Sequence, residues 1–372
     1  MFVSTVPPGQ ILREMIEALG MPQAELALRM GRPTKTINGI IKNRVAITVE
    51  TALQLERVLG LPANFWNNRE QSYRQALARQ EEEKELAGQV AWLDKLPVKA
   101  MVDRGWVQGF DNESQQVREL LKFFGVATPA QWYSLWISGS TTVLRDHSSK
   151  AFGATAAWLR KGEIEAHQLE CRPYNAKKFR EALSQFRLLT AEPLETSLAR
   201  MIATCASTGV AVTSVTPLPP MQICGASRWL IPHKAVLQLS LNLDTEEQFW
   251  FSFLHLAGHI FLHGKRDVFF ETEHAARNRK EAEADTFAAD LLIPARRWWR
   301  FVDAEGYHLQ ASIQNFAASL GISPGLVVSR LQREGLISKG DFNQLKRRLT
   351  WPVRPYNSPA DGVLSGTIRL AS

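Results

Sequence analysis

The chain has 372 residues, of which 45% are apolar and 22% are charged, and its formal net charge is +7. This composition is that of an ordinary folded protein and excludes an intrinsically disordered chain, which would bury too little apolar surface to offset its ordering entropy. The length predicts two or three domains, and the positive charge permits a polyanionic partner without establishing one.

The cysteine pattern and the apolar runs restrict the cellular context. Cys171, Cys205 and Cys224 are odd in number and widely spaced, which predicts buried free thiols rather than a disulfide framework or a thiolate metal site. The first residues lack the basic and apolar segments of a signal peptide, and no uncharged apolar run reaches about 18 residues. We therefore expect a cytoplasmic protein.

Short helices separated by tight turns are predicted for the first part of the chain. Apolar residues recur at helical spacing in 10–19, 23–30 and 48–59, and a glycine follows each segment. Pro33 suits the first turn of a further helix, and a long polar helix is expected from 62 to about 91. Residues 1–75 are assigned to one domain.

Residues 23–44 have the layout of a helix-turn-helix. The face where its two helices cross is predicted to comprise Ala24, Leu26, Ala27, Met30, Ile37, Ile40 and Ile41. The predicted DNA-binding residues are of the types that contact phosphates and base edges: Gln23, Thr34, Lys35, Thr36, Asn38, Lys42 and Arg44. The alternative is a helical hairpin with a polar surface. Gly39 disfavours the second helix by about 1 kcal/mol relative to alanine.

Residues 8–73 resemble the HigA-type antitoxins, which belong to the Xre class of helix-turn-helix repressors. The resemblance rests on the segments GRPTKTIN, ETALQLERVLG and FW. It implies a homodimer that binds double-stranded operator DNA and represses its own operon. Relatives often carry glutamate at the position of Gly39, so the pattern of base contacts differs there.

The rest of the chain changes from helical to mixed periodicity. Residues 76–207 are predicted to form a helical linker or middle domain without a chemical motif. Apolar alternation then predicts strands at 209–215, 222–229 and 235–241, followed by helices at 245–262 and 279–292. We assign 208–300 to a third domain, 301–350 to a helical extension and 351–372 to a flexible tail. The predicted fold is α+β and mostly helical, with a small β-sheet.

The sequence HLAGH at 255–259 indicates a metal site. His255 and His259 lie one helical turn apart on one face, where two imidazoles can hold one ion. Glu281 and Asp285 have the same spacing in the next predicted helix. One of them can ligate, while the other accepts a hydrogen bond from the outer N–H of a ligand. The alternative is two amphipathic helices whose histidines bond to backbone groups.

Residues 209–294 resemble the ImmA/IrrE-type zinc metallopeptidase domain, through GASRWL, LQLSLN, FWFSFLH, GHIFLHG and EAEADTFAADLLIP. The resemblance implies zinc and assigns His255, His259 and Glu281 as its ligands, which leaves Asp285 as the outer partner. It places the family's catalytic glutamate at Leu256.

Leucine at this position predicts a loss of peptidase activity. Leu256 has neither a lone pair nor a proton, and the loss of a general base alone lowers a rate by roughly 10²–10⁴. Glu283 faces away from Glu281 on its helix and Glu273 lies in a predicted loop, so neither is expected to substitute. We therefore expect no catalytic residue.

Three functional hypotheses remain. The first is a sequence-specific transcriptional regulator of toxin–antitoxin or mobile-element type, whose catalytically impaired domain serves sensing, dimerisation or partner binding. Under this hypothesis, the strand at 235–241 would receive a peptide by strand addition. The second is an active zinc metallopeptidase that cleaves a repressor or partner, which chelator-sensitive cleavage would favour. The third is a toxin-neutralising antitoxin, which co-purification of a small basic protein would favour.

Overall fold

The computed structural model describes residues 6–138, 150–221, 223–240, 243–272 and 278–349. The predicted tail, 351–372, and Glu273 lie outside the described residues. The chain divides into two compact units. The amino-terminal unit comprises residues 1–90 with 113–115, and the carboxy-terminal unit comprises 91–112 with 116–372.

The described part of the amino-terminal unit is helical. Its helices are α1 (Pro8–Ala18), α2 (Gln23–Met30), α3 (Thr34–Ile41), α4 (Val49–Leu59) and α5 (Ala63–Ala87). Gly31 and Gly60 have φ values of 63° and 81°, a left-handed conformation that lets them end α2 and α4 without strain. The predicted helices are confirmed to within a few residues.

One apolar core joins these helices. Six of the seven residues predicted for the α2–α3 crossing are buried, and Ile37 is fully inaccessible to solvent. The prediction for Ala24 is wrong, because its side chain is exposed. Ala24 precedes the buried Leu26 by two positions, which lie on nearly opposite faces of a helix. Trp66 of α5 closes the core and is 0% exposed.

The middle of the chain is helical, as predicted. Its helices are α6 (Val98–Asp103), α7 (Glu113–Phe124), α8 (Pro129–Ser138), α9 (Lys150–Gln168), α10 (Ala176–Leu189) and α11 (Leu194–Ser207). Its tryptophans serve as core rather than as a surface platform: Trp92 meets Trp132 edge-on at 5.6 Å between ring centroids. The three cysteines are free, but only Cys205 is buried, whereas the other two are half-buried.

A four-stranded sheet follows. Its strands are β1 (Val210–Val215), β2 (Ile223–Ile231), β3 (Lys234–Ser240) and β4 (Phe269–Thr272), in the order β1-β3-β2-β4. The pair β1–β3 is parallel, and the other pairs are antiparallel. The sequence predicts the first three strands but not β4, which has four residues and therefore a weak periodic signal.

Strand addition at 235–241 is excluded by this order. β3 pairs with β1 on one side and with β2 on the other, so its backbone N–H and C=O groups are already used. A peptide can add only to a strand with a free edge. The suggestion that β3 receives a peptide is therefore wrong, and β4 is the described edge strand on the β2 side.

Five helices complete the described part of the carboxy-terminal unit: α12 (Glu246–Leu262), α13 (Arg279–Leu292), α14 (Ala295–Asp303), α15 (Gln310–Leu320) and α16 (Pro324–Arg333). The central helix α12 packs against the sheet, α13 and α16, and it is buried on nearly all sides. The fold is α+β and mostly helical with a small mixed sheet, as predicted. Among the described residues, no helix has the length and apolar character needed to cross a bilayer.

Candidate metal centre and nucleic-acid interface

Helix α12 carries the two histidines of HLAGH. It begins with a capping box, in which the Thr245 side chain accepts from the Gln248 N–H and the Gln248 side chain accepts from the Thr245 N–H. His255 and His259 face α13 and β4, and they are 3% and 1% exposed. The His259 ring stacks on Phe269 of β4 with 4.1 Å between centroids. Both imidazoles are thus held by packing.

Helix α13 brings the acidic residues to these histidines. The Asn278 side chain accepts a hydrogen bond from the Glu281 N–H at 3.0 Å and caps the helix. At Gly258 of α12, an added Cβ would lie 3.0 Å from Phe287 and 3.4 Å from the Cα of Ala284. The absence of a side chain at Gly258 therefore permits the close approach of α13.

The three predicted ligands come together. His255 Nε2 lies 3.1 Å from His259 Nε2 and 3.2 Å from Glu281 Oε2. The third edge, from His259 Nε2 to Glu281 Oε2, is 3.4 Å. With zinc–ligand bonds of about 2.0–2.1 Å, ligand atoms at tetrahedral corners lie about 3.3–3.4 Å apart. Two imidazole nitrogens and a carboxylate oxygen at this spacing are a donor set that would suit zinc.

A second layer of polar groups orients the ligands. His255 Nδ1 lies 2.9 Å from Asp285 Oδ1. His259 Nδ1 lies 3.0 Å from His263 Nδ1, and His263 Nε2 lies 3.1 Å from Glu283 Oε2. These contacts on the outer nitrogens turn both Nε2 atoms toward Glu281, the arrangement that metal-binding histidines adopt. Glu283 thus contacts His263 rather than the cluster itself.

The electrostatics of the cluster favour an ion pair in the metal-free protein. Burial tends to lower the pKa of His255, but hydrogen bonds to Asp285 and Glu281 outweigh it and raise that pKa to about 10. Burial tends to raise the pKa of Glu281, but hydrogen bonds to the two histidines lower it to about 2. Burial lowers the pKa of His259. One proton is therefore held at His255, opposite a charged carboxylate.

Leu256 belongs to the apolar core. It is 0% exposed and packs among the residues that join α12 to the sheet. At Gly225 of β2, an added Cβ would lie 2.5 Å from Leu256 Cδ1, so the leucine rests directly on the strand backbone. A hydrocarbon therefore occupies the position to which the sequence resemblance assigns the family's catalytic glutamate.

Glu271 of β4 is a candidate site residue that sequence reasoning missed. Its Oε1 accepts from Ser252 Oγ at 2.9 Å, and its buried Oε2 has no hydrogen-bond partner among the described residues. Burial raises the pKa of Glu271, while the nearby His255 lowers it. The one available signal was the short apolar run VFF ahead of Glu271, which marks the edge strand beside α12.

The predicted DNA-binding residues lie in the amino-terminal unit. Four of them are exposed (Thr34, Lys35, Lys42, Arg44), and three are half-buried (Gln23, Thr36, Asn38). Asn38 Nδ2 donates to Gln23 Oε1 at 3.2 Å, which connects the start of α2 to the middle of α3. The buried face of α3 comprises Ile37, Ile40 and Ile41, so the helix separates an apolar face from a polar one.

Two family models match this chain. Residues 12–66 match the helix-turn-helix model, and residues 213–332 match the IrrE N-terminal-like domain. Virulence-associated protein I of Dichelobacter nodosus is 33% identical over 79 residues, which is 21% of this chain and 73% of that protein.

The chain belongs to the helix-turn-helix family. Its carboxy-terminal unit contains an IrrE-like domain, so both resemblances expected from the sequence are confirmed. Antitoxin GraA is 32% identical to this helix-turn-helix protein. The match covers 23% of this chain and 91% of GraA, with a TM-score of 0.22. Pseudomonas aeruginosa antitoxin HigA, solved with the higBA promoter, is 29% identical. The match covers 22% of this chain and 89% of HigA, with a TM-score of 0.21.

Gly39 of α3 lies directly against the Val45 side chain. An added Cβ would lie 2.6 Å from Val45 Cγ2 and 3.3 Å from Val45 Cβ. We expect Gly39→Ala to destabilise α3 by about 1 kcal/mol, because the clash exceeds the gain in helix propensity. Faster hydrogen exchange in α3, measured by mass spectrometry, would show it. Gly39→Ala/Val45→Ala should restore protection, whereas slower exchange in the single variant would contradict the clash.

Proposed function

We propose that this protein is a sequence-specific transcriptional regulator of toxin–antitoxin or mobile-element type. It binds operator DNA as a homodimer in the cytoplasm. The observation that carries this proposal is the polar, largely exposed face of α3 within a domain of the helix-turn-helix family. In such domains the second helix enters the major groove, and its polar side chains contact base edges and phosphates.

The α3 face supports two kinds of contact. Lys42 is exposed at the end of α3, where an ammonium group can pair with a phosphate of any sequence. Asn38 is oriented by its hydrogen bond from Nδ2 to Gln23, so its amide is presented in one orientation. An asparagine side chain suits the two hydrogen-bonding groups of adenine in the major groove. Lys42 therefore contributes affinity, and Asn38 contributes base preference.

Two substitutions test these roles on a pool of random duplexes from which the protein selects its sites. Lys42→Ala should weaken binding to all sequences and reduce the slope of log K against log salt by about 0.9, through one lost phosphate contact. Asn38→Ala should relax base preference at one position by about 1–3 kcal/mol. Fluorescence anisotropy over a salt series measures the first effect, and sequencing of the selected pool measures the second.

The matched control is Lys84→Ala, which removes an exposed lysine of α5 that pairs with Glu81. It should leave affinity and salt slope unchanged. Equal effects of Lys42→Ala and Asn38→Ala on every sequence would contradict the assigned roles. Failure of the unaltered protein to bind any duplex would contradict the proposal itself.

We propose a zinc site at His255, His259 and Glu281 of the IrrE-like domain. Zinc bound there would polarise a carbonyl oxygen as a Lewis acid. Asp285 and His263 orient the two imidazoles, while Leu256 offers no proton acceptor at the position of the family's glutamate. The domain is therefore suited to hold a peptide partner rather than to cleave it.

A peptidase is the second candidate, and Glu271 is the observation that favours it. Its carboxyl group enters from β4 rather than α12 and retains an oxygen without a partner among the described residues. Ser252, which lies three residues before His255 on α12, donates to this carboxyl group at 2.9 Å and so places it beside the histidine helix. Chelator-sensitive cleavage of a partner by the unaltered chain would favour this candidate over the regulator without peptidase activity.

A further inference from the structure

A cavity of about 1130 Å³ lies beside the metal centre in the carboxy-terminal unit. Its walls come from the amino-terminal half of α12, from β4, from the end of α16 and from the segment 339–349. Phe251 and Ser252 line it and precede His255 by about one helical turn, so this end of the cavity lies near the proposed zinc ligands without including them. The cavity is therefore much larger than the space that a single inorganic ion would occupy.

Positive charge predominates on the accessible lining. The cations are Arg333, Lys339, Lys346 and Arg348, and each retains solvent exposure. Residues 295–349 carry nine lysines and arginines against four acidic residues, so most of the chain's net positive charge arises in this segment. The cavity is therefore electrostatically suited to an anionic group.

The acidic residues of the lining do little to cancel this charge. Glu247 is 1% exposed, its Oε1 accepts from Ser323 Oγ at 3.3 Å, and its Oε2 is inaccessible to solvent. Glu271 Oε2 is inaccessible as well, and burial raises the pKa of both carboxyl groups. Asp244 is the third acidic residue of the lining and is exposed. Among the residues that line the cavity, four accessible cations thus outnumber one accessible carboxylate.

Arg333 is the cation best placed to select a ligand. Its guanidinium lies 3.7 Å from the ring centroid of Phe251, which holds the planar group against the cavity wall. Among the described residues it has no hydrogen-bond partner, although the carboxyl groups of Asp285 and Glu334 lie close enough to interact with its charge. A guanidinium held in this way presents two parallel N–H donors to a carboxylate.

We propose that this cavity binds an acidic peptide segment, with a glutamate or aspartate side chain of the peptide paired to Arg333. The inference rests on the proposed partner-docking role of the IrrE-like domain and names the chemistry of that partner. A peptide fits better than a free anion because the cavity is large and is partly apolar at Phe251.

The test uses the full chain with zinc and two fluorescein-labelled tripeptide pools, Xaa-Glu-Xaa-amide and Xaa-Gln-Xaa-amide. Fluorescence anisotropy should show that the glutamate pool binds about tenfold more tightly, the effect of one charge-assisted pair. Arg333→Met keeps the aliphatic stem on Phe251 but removes the guanidinium, and it should abolish this preference. Arg296→Met removes an exposed arginine of α14 outside the cavity and should leave the preference intact.

Equal binding of the two pools by the unaltered chain would overturn the proposal, and this comparison does not depend on the folding of any variant. Retention of the preference in Arg333→Met would overturn it as well. Displacement of the glutamate pool by inorganic phosphate at lower concentration than by glutarate would assign the cavity to phosphate instead. DNA binding, measured separately, should be unchanged in Arg333→Met, so a failure of the regulator proposal is distinguishable from a failure here.

Discussion

His259→Ala should lower the zinc affinity of the full chain by more than about 100-fold, because loss of a ligand costs more than the 10–100-fold typical of losing an outer partner. His259 Nε2 lies within 3.1–3.4 Å of both other ligand atoms, so its removal leaves two donors for the ion. Competition with a chromophoric zinc indicator measures the affinity directly and requires no assumption about activity.

Two further variants make this result specific. Asp285→Asn weakens the outer contact at 2.9 Å from His255 and should cost about 10–100-fold, less than loss of the ligand itself. His308→Ala removes an exposed histidine outside the centre and should have no effect. An unchanged affinity in His259→Ala would show that zinc, if bound, is held elsewhere.

Leu256→Glu should lower the free energy of unfolding of the carboxy-terminal unit by about 2–5 kcal/mol at neutral pH, because it places a carboxyl group in the core without a partner. The leucine is 0% exposed and rests on Gly225 of β2. The conservative control, Leu256→Met, keeps the volume and should cost less than about 1.5 kcal/mol. Denaturant unfolding monitored by hydrogen exchange in α12 measures the loss of stability in the carboxy-terminal unit.

The pH dependence of the stability of Leu256→Glu distinguishes the burial of a charge from poor packing of the new side chain. Burial raises the pKa of an introduced carboxyl in the folded state above its unfolded value of about 4.3. The folded state then binds more protons, so stability falls as pH rises from the unfolded pKa to the folded one, and it recovers on acidification. Stability equal to that of the unaltered protein at neutral pH would show that this side chain reaches the metal centre, contrary to the packing seen.

Local features of this protein followed from residue spacing alone. His255 and His259 share a face because the helical period places residues four apart side by side. The helical ends at Gly31 and Gly60 followed from the one residue type that adopts a left-handed φ freely. Spacing left Glu281 and Asp285 as alternatives for the third ligand, and the family resemblance favoured Glu281. The distance between α12 and α13 depends on Gly258, whose role no periodicity reveals.

Relations between distant segments needed the tertiary structure. The central position of β3, the pairing of β4 with β2 and the burial of Glu271 depend on which strands pair, and strand pairing joins residues far apart in sequence. The cavity at Arg333 likewise combines α12 with a segment about 90 residues later. Periodicity describes one element at a time, whereas a shared site requires elements to meet. Packing of side chains in three dimensions, and not spacing along the chain, decides which of them do so.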